Sequence, residues 1–504
     1  MNDEIDEGEE MEKKTIQVYL AALQEAELLT TDSCQSLMEQ TVEQLTYDSR
    51  LVTQGTLFVC KGAAFQVSYL EAAAEQGAFA YVSETAYQTE LPCILVTDIR
   101  RAMAVLADVF YDAPYKQIPV IGITGTKGKS STVAMLTAMI NEHSRRTGKP
   151  RCGMISSIGI YDGVEEAEAK LTTPEAFELY RHLRQAADAK LPCVVVEVSS
   201  QALKYHRVGG IEFQAAAVLN LSRDHISPVE HPDMEDYIRA KAQILRQTKV
   251  GFVNMDTAHL DGLTEALEQV PAWVGYGICK KAPYEVKHLS RTDDGYTFTV
   301  TGGEWEAAFS LPLPGIFNVE NALAAIVIAH TLGASDEAMQ AGLADISIPG
   351  RSEIMKNEDE SRIAVIDYAH NGLSFENVLS MARLLYPKHR MVCVFGSTGD
   401  KAQSRRADMA AVVSRLADVV YLTMDDPGHE RVEDIIDEIA AHIDSPRLVV
   451  HKEADRKRAI ERAMTEQTGE VCFLLLGKGR ENSQKIGGKS VPYESDPVLA
   501  RLWL

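Results

Sequence analysis

Closely spaced cysteines, long apolar runs and positive charge are all scarce in this 504-residue chain. The eight cysteines are Cys34, Cys60, Cys93, Cys152, Cys193, Cys279, Cys393 and Cys472, and no two form the C-x-x-C spacing of a zinc or redox motif. Several fall in apolar runs such as LFVC and LPCVVV, where a free thiol packs as a small hydrophobe. Reduced thiols fit a cytoplasmic location. No apolar run approaches the length of about 20 residues that a membrane helix needs, so membrane insertion is not expected. The opening stretch MNDEIDEGEEMEKK is acidic and has no apolar signal core, so secretion is not expected either. Lys and Arg total 50 against 73 Asp and Glu, a net charge of −23. That balance argues against a nucleic-acid partner, which needs a basic face. It still allows a local basic pocket for a small anion.

The apolar content of 45% can fill several cores. At about 150 residues per domain the length allows roughly three domains. Residues 1–14 read as an acidic tail. Residues 15–115 hold short strands and helices (LFVC, AFAYVSE, CILVTDI, AMAVLADVFY), and DAPYKQIP reads as a linker. Over 116–346, strands such as PVIGITG, PCVVVEVSS and AAAVLNL alternate with helical stretches, the pattern of a mostly parallel sheet. SIPGRSE interrupts near residue 350. A third alternating set over 347–504 reads as Rossmann-like without a dinucleotide fingerprint. The fold class expected is α/β in three domains, with no internal repeat.

PVIGITGTKGKSSTVAMLTAM carries the strongest local signal. A strand runs into a Gly-rich loop and then a helix. Backbone N–H groups of such a loop approach phosphate oxygens, and the helix N-terminus adds partial positive charge. Lys129 can reach terminal phosphates and Ser130 can hold Mg²⁺. The ATP-contacting set is Gly125, Thr126, Lys127, Gly128, Lys129, Ser130 and Ser131. The spacing is G-x-x-G-x-x-G-K-S, with Gly122 one place earlier than the general P-loop pattern asks.

GITGTKGKSS resembles the ATP loop of the Mur ligases, ATP-dependent amide ligases of peptidoglycan synthesis. YDSRLVTQGTLFVCKGAAF, LTTPE, EVSSQALKYHRV, NLSRDHISPVEHPDMEDYIRAK, LPGIFNVENALAA, PGRSE, VIDYAHN and LLGKGRENSQ follow in the family's order and span nearly the whole chain. Within the family the chain resembles the MurE-type UDP-MurNAc-tripeptide synthetases. SSQAL, DHISPVEH and GSTGDK are nearest in form to the streptococcal-type, L-lysine-adding branch. Gln201 stands where many relatives have His, and Asn371-Gly372 where Thr-Pro is frequent.

The resemblance implies an N-terminal uridine-binding domain, a central P-loop ATPase domain and a C-terminal domain that binds the incoming amino acid. It implies ATP, UDP-MurNAc-L-Ala-D-Glu and L-lysine as small-molecule substrates and Mg²⁺ as cofactor; a monomer is expected. Glu197, at the end of CVVVEV, and His225, in RDHIS, are the implied metal ligands with Ser130. Lys241 reads locally as a helix-surface lysine, and the resemblance makes it a carbamylated ligand. Lys129, Glu197, His225 and Lys241 form the implied catalytic set. Asn321, Arg351 and Asp367 fit the adenosine and phosphate cradle, with His370 as a further candidate. Ser49, Thr172, Thr173, Ser199 and Arg207 match positions that hold the UDP-linked substrate.

TMDDPGHE follows the apolar run LADVVYL, and on local residues it reads as a solvated Asp-Pro-Gly turn. In the family's order, Asp425, Asp426, Pro427 and Gly428 occupy the motif that selects the amino acid. Diaminopimelate-adding relatives have Asp-Asn-Pro-Arg there. Gly428 cannot clamp a carboxylate, and the added aspartate suits a distal ammonium. Arg406 matches the position for the substrate α-carboxylate, with Arg405 its alternate. Three rivals stay open: the same ligase using ornithine or meso-diaminopimelate, a folate-polyglutamate-type ligase, and a P-loop regulatory binding module.

Overall fold

The structure, a computed structural model, describes residues 13–62, 65–227, 230–400 and 403–504. Most of the acidic tail expected at 1–14 lies outside the described residues. Lys14 is held, its Nζ 2.9 Å from the Val109 carbonyl and 2.8 Å from Asp112.

Among the described residues three large sheets follow one another along the chain, and a two-stranded antiparallel ribbon, Ser483–Ile486 with Lys489–Pro492, comes after them. The first has five strands in the order Leu29–Asp32, Cys93–Val96, Ala78–Ser83, Thr56–Val59, Gln44–Thr46, parallel except for its first pair. The helix Ile99–Phe110 starts at Asp98, whose carboxylate accepts from the Arg100 and Arg101 N–H groups at 2.9 and 3.0 Å. The stretch DAPYKQIP forms a short 3₁₀ turn at Pro114–Lys116 rather than an open linker.

The second sheet has eleven strands. Val120–Thr124, buried at every residue, lies between Val194–Glu197 and Phe213–Val218, all three parallel. Covered on both faces, such strands appear in sequence as unbroken apolar runs. The mostly parallel sheet expected holds for this centre. It is extended at one edge by the antiparallel meander Tyr284–Arg291, Tyr296–Gly302, Trp305–Leu311, and at the other by Gly159–Tyr161 and Glu166–Ala167. The helix Lys129–Thr147 follows the central strand, and its entry residue Gly128 has φ +84°. A Cβ there would stand 2.0 Å from Asn321 Oδ1, so only glycine fits.

The third sheet orders Glu353–Lys356, Arg362–Asp367, Val471–Leu476, Arg390–Phe395, Val419–Leu422, Val449–Lys452, and only its first strand is antiparallel. In open α/β sheets ligands gather at the carboxyl ends of the strands; here Arg362–Asp367 ends at Asp367, and Asp425 follows the end of Val419–Leu422. No described cysteine forms a disulfide. Among the described residues no helix is long and apolar enough to cross a membrane.

Candidate active site

The Gly-rich loop is folded upon itself. Lys129 Nζ donates to the Gly125 and Thr126 carbonyls at 3.0 and 3.2 Å. Lys127 N–H donates to Asn220 Oδ1 at 2.8 Å, and Thr126 Oγ1 accepts from the Tyr237 hydroxyl at 3.1 Å. Burial lowers the Lys129 pKa, against the opposing pull of Glu197 and Asp224. Ser131 is buried beneath the loop.

Glu197 ends its strand facing this loop. Its carboxylate accepts from Ser130 Oγ at 3.1 Å, Ser156 Oγ at 2.5 Å, and both Ser157 N–H and Oγ at 3.0 Å. A carboxylate ringed by hydroxyls is an all-oxygen set of the kind a hard divalent cation takes, so these residues fit Mg²⁺. Arg351, from the third sheet's side of the chain, donates to Ser130 Oγ at 3.1 Å. Its guanidinium lies over the Tyr368 ring, and its Nε is buried without a partner. Asp367 is buried and accepts from Ser352 and Ala369 N–H, each at 2.7 Å; burial raises its pKa against the opposing charge of Arg351.

His225 is held elsewhere. Its Nδ1 lies 2.9 Å from Glu230 and its Nε2 3.8 Å from Asp224, so its contacts are to these acids rather than to Glu197. Asp224, which the sequence did not single out, is a hub. Arg405 reaches it at 2.6 Å, Asn371 Nδ2 at 2.9 Å and Lys127 at 3.3 Å. Burial opposes its ionisation, but the charges of Lys127, His225 and Arg405 outweigh it and hold its pKa well below the usual range. His370 Nε2 stands 3.4 Å from Lys127 Nζ, and that cation, with burial, keeps the imidazole neutral. Lys127 is itself pushed down to about 8, chiefly by burial. The family departure at Asn371 thus serves twice: it caps the helix Gly372–Leu385 and reaches across to Asp224.

Lys241 is not on a helix surface. It is 1% exposed, with Nζ 2.8 Å from the Gly125 carbonyl. Burial first, then the charge of Lys129, pulls its pKa well below that of a free lysine.

On the first-sheet side, Thr173 Oγ1 donates to the Glu197 carbonyl at 2.7 Å and accepts from Ser199 N–H at 3.0 Å. Thr172 is half-buried beside it. Arg207 Nη1 donates to the Thr173 carbonyl at 3.1 Å. Ser49 opens a 3₁₀ turn, Ser49–Leu51, in the first domain.

In the third domain, Asp425 is buried and its carboxylate receives no hydrogen bond from the described residues. Burial pushes its pKa up to about 6 against the pull of Lys478 and Arg456. Asp426 is not free charge: Lys478 Nζ, fully buried, donates to it at 2.8 Å and also pairs with Glu481. Gly428 has φ +59°, and a Cβ there would lie 2.1 Å from Asp400 Oδ2. The turn itself therefore asks for glycine, a reason independent of substrate choice. Pro427 packs its carbonyl against Gly399. Arg406 is enclosed, bound to Glu430 at 2.9 Å and to Glu438, with its Nε left without a partner.

Residues 123–329 match the Mur ligase middle domain and residues 350–479 the Mur ligase glutamate ligase domain. A UDP-N-acetylmuramoyl-L-alanyl-D-glutamate--L-lysine ligase of Enterococcus faecalis is 39% identical over 477 residues, 93% of each chain. The chain belongs to the Mur ligase family. Another ligase of the same name, from Streptococcus thermophilus, is 36% identical to this Mur ligase over 92% of the chain and 93% of its own length. Among solved structures, a UDP-N-acetylmuramoyl-L-alanyl-D-glutamate--2,6-diaminopimelate ligase superposes with a TM-score of 0.65 at 25% identity, over 97% of this chain and 98% of its own. The three-domain α/β architecture is that of the family.

Proposed function

We propose that this Mur ligase joins L-lysine to UDP-MurNAc-L-Ala-D-Glu with ATP, through an acyl phosphate. One hydroxyl carries the reading. Ser130 Oγ is 3.1 Å from Glu197 and 3.1 Å from Arg351, so loop, acid and a cation from the C-terminal side meet at one point. That is where a γ-phosphate needs its charge offset.

The loop N–H groups of Gly125–Ser131 hold the phosphates. Lys129 exchanges the Gly125 and Thr126 carbonyls for phosphate oxygens. Asn321, Arg351 and Asp367 cradle the nucleotide, with His370 beside Lys127. The glutamyl carboxylate attacks the γ-phosphorus and the bond to ADP breaks. The lysine α-amine then attacks the acyl carbon, and phosphate leaves from the tetrahedral intermediate. Bound Mg²⁺ supplies charge that lets the two anions approach; Glu197 and Ser130 are its proposed ligands, and His225, paired with Glu230 and Asp224 in this structure, would join them only by leaving those acids. Lys241 is the proposed site of a CO₂-derived carbamate. Its depressed pKa favours the neutral amine that reacts with CO₂, and the product replaces one of three neighbouring lysine charges with an anion.

Ser49, Thr172, Thr173, Ser199 and Arg207 hold the UDP-linked substrate. Asp425 faces the distal end of lysine, Asp426 (held by Lys478), Pro427 and Gly428 shape the turn around it, and Arg406, with its partnerless Nε, takes the α-carboxylate. All these residues come from one chain, so a monomer suffices. We place the reaction in the cytoplasm, where ATP is available.

The test is isotopic. With ¹⁸O in the glutamyl carboxylate, an acyl phosphate transfers one label to the released phosphate. Lysine-dependent turnover with unlabelled phosphate contradicts the route.

A further inference from the structure

Glu175 is a single carboxylate with three cations on it. Lys61 Nζ lies 2.9 Å from its Oε2 and Arg100 Nη1 3.4 Å from the same oxygen, while Arg207 Nη2 lies 2.9 Å from Oε1. Lys61 and Arg100 come from the first domain, Glu175 and Arg207 from the second. Aromatic faces hold the first two: Lys61 stands 4.2 Å over the Tyr47 ring and Arg100 4.8 Å over the Tyr205 ring. The next carboxylate, Glu178, is engaged at one oxygen by the Tyr47 hydroxyl at 2.5 Å. Three positive charges against two negative leave an excess in a mostly enclosed site. Two polar atoms there are buried with no partner, Arg207 Nε and Glu178 Oε2. A buried donor left unmatched is costly, so such a site asks for something more.

The cluster also sits between the two ends of the proposed substrate site. Tyr47 is two residues from Ser49, on the uridine side. Arg207 bonds the Thr173 carbonyl, and Thr173 bonds the carbonyl of Glu197 at the reacting end. Between uridine and the reacting carboxylate, the substrate carries two other anionic groups, its diphosphate and the free carboxylate of the glutamyl residue.

We propose that Lys61 and Arg100, together with Arg207, form a cradle for an anionic oxygen group of the UDP-linked substrate, and that Glu175 fills it when the substrate is absent. The proposal rests on the UDP-linked substrate put forward above. Glu175 keeps the three cations gathered, and the incoming group shares or displaces it. Glu178 Oε2 is an acceptor for a hydroxyl or amide N–H beside that group.

Calorimetric titration of the full chain tests this, using UDP, UDP-MurNAc and UDP-MurNAc-L-Ala-D-Glu at low and high salt. Lys61→Met and Arg100→Met are each expected to weaken binding of the UDP-linked dipeptide about tenfold or more, with a shallower salt dependence and unchanged ATP affinity. Glu175→Gln is expected to tighten it, because the internal competitor loses its charge. Weakening already present with UDP assigns the diphosphate; weakening seen only with the dipeptide assigns the glutamyl carboxylate. Should the methionine variants not fold, Lys61→Gln and Arg100→Gln carry the same test. Folded variants that bind as wild type does, or a Glu175→Gln chain that binds more weakly, would make the cluster a tether between domains and overturn the cradle. A wild-type chain that does not bind the dipeptide overturns the substrate assignment as well.

Discussion

Glu197 and Asp425 are both carboxylates at the carboxyl end of a buried parallel strand, yet their surroundings are opposite. Glu197 accepts four hydrogen bonds, from Ser130, Ser156 and Ser157. Asp425 accepts none from the described residues, and the backbone of Gly477 is pressed so close that a Cβ there would lie 2.3 Å from its Oδ2. The first acid is oriented by donors that a cation can replace. The second has no donor among the described residues, only the charges of Lys478 and Arg456 set against its burial. Orientation suits a group that must hold a metal and a phosphate in fixed positions. An under-satisfied acid suits one whose partner arrives with the substrate, as an ammonium would.

The largest effects are expected at the oriented end. Lys129→Ala and Glu197→Gln should each lower phosphate release by about 10³-fold with the circular-dichroism spectrum unchanged. Glu197→Gln should also raise the Mg²⁺ concentration needed for half-maximal rate, read by titrating Mg²⁺ in that assay. A Glu197→Gln enzyme with a normal Mg²⁺ requirement would make Glu197 a structural strand cap.

At the other end, Lys478→Met removes the buried cation between Asp426 and Glu481. The expected loss is about 3 kcal/mol or more, because two carboxylates are left beside Asp425 without their counter-charge. Denaturant melts measure it.

Asp425→Asn has the opposite sign. The folded protein holds the Asp425 proton more firmly than the unfolded chain, with a pKa of about 6 against 3.8. The group's stabilising contribution is therefore present below about pH 4 and lost as pH rises through about 6. The Asn variant should be more stable at pH 7.5 by up to about 3 kcal/mol, with the gain vanishing near pH 4. Its KM for lysine should rise, and should lose the increase that wild type shows as pH falls through 6. Smallest of all, Gly428→Ala should cost about 1 kcal/mol from its left-handed backbone, with Asp400 swinging aside.

How much of this was legible in the sequence follows from the range of each signal. The strand, loop and helix around Lys129 are local, and so is the strand ending at Glu197. The meander over 284–311 is local too: alternating runs flank Asp294-Gly295 and Gly302-Gly303, a hairpin signature. Asp224 was hidden because its partners, Arg405 and Asn371, come from another domain. Lys478 bonds Asp426 across 52 residues, and no local pattern announces such a pair. It changes the reading of the turn, since Asp426 already has its cation and, in the proposed reaction, Asp425 is the acid that meets the substrate.

The most direct measurement is kcat/KM for phosphate release with UDP-MurNAc-L-Ala-D-Glu and Mg-ATP, comparing L-lysine, L-ornithine and meso-diaminopimelate. L-Lysine is expected to exceed meso-diaminopimelate by about 30-fold or more, the cost of burying an unpaired carboxylate beside Asp425. Equal use of lysine and diaminopimelate would contradict it and leave Asp425 and Asp426 as parts of a turn.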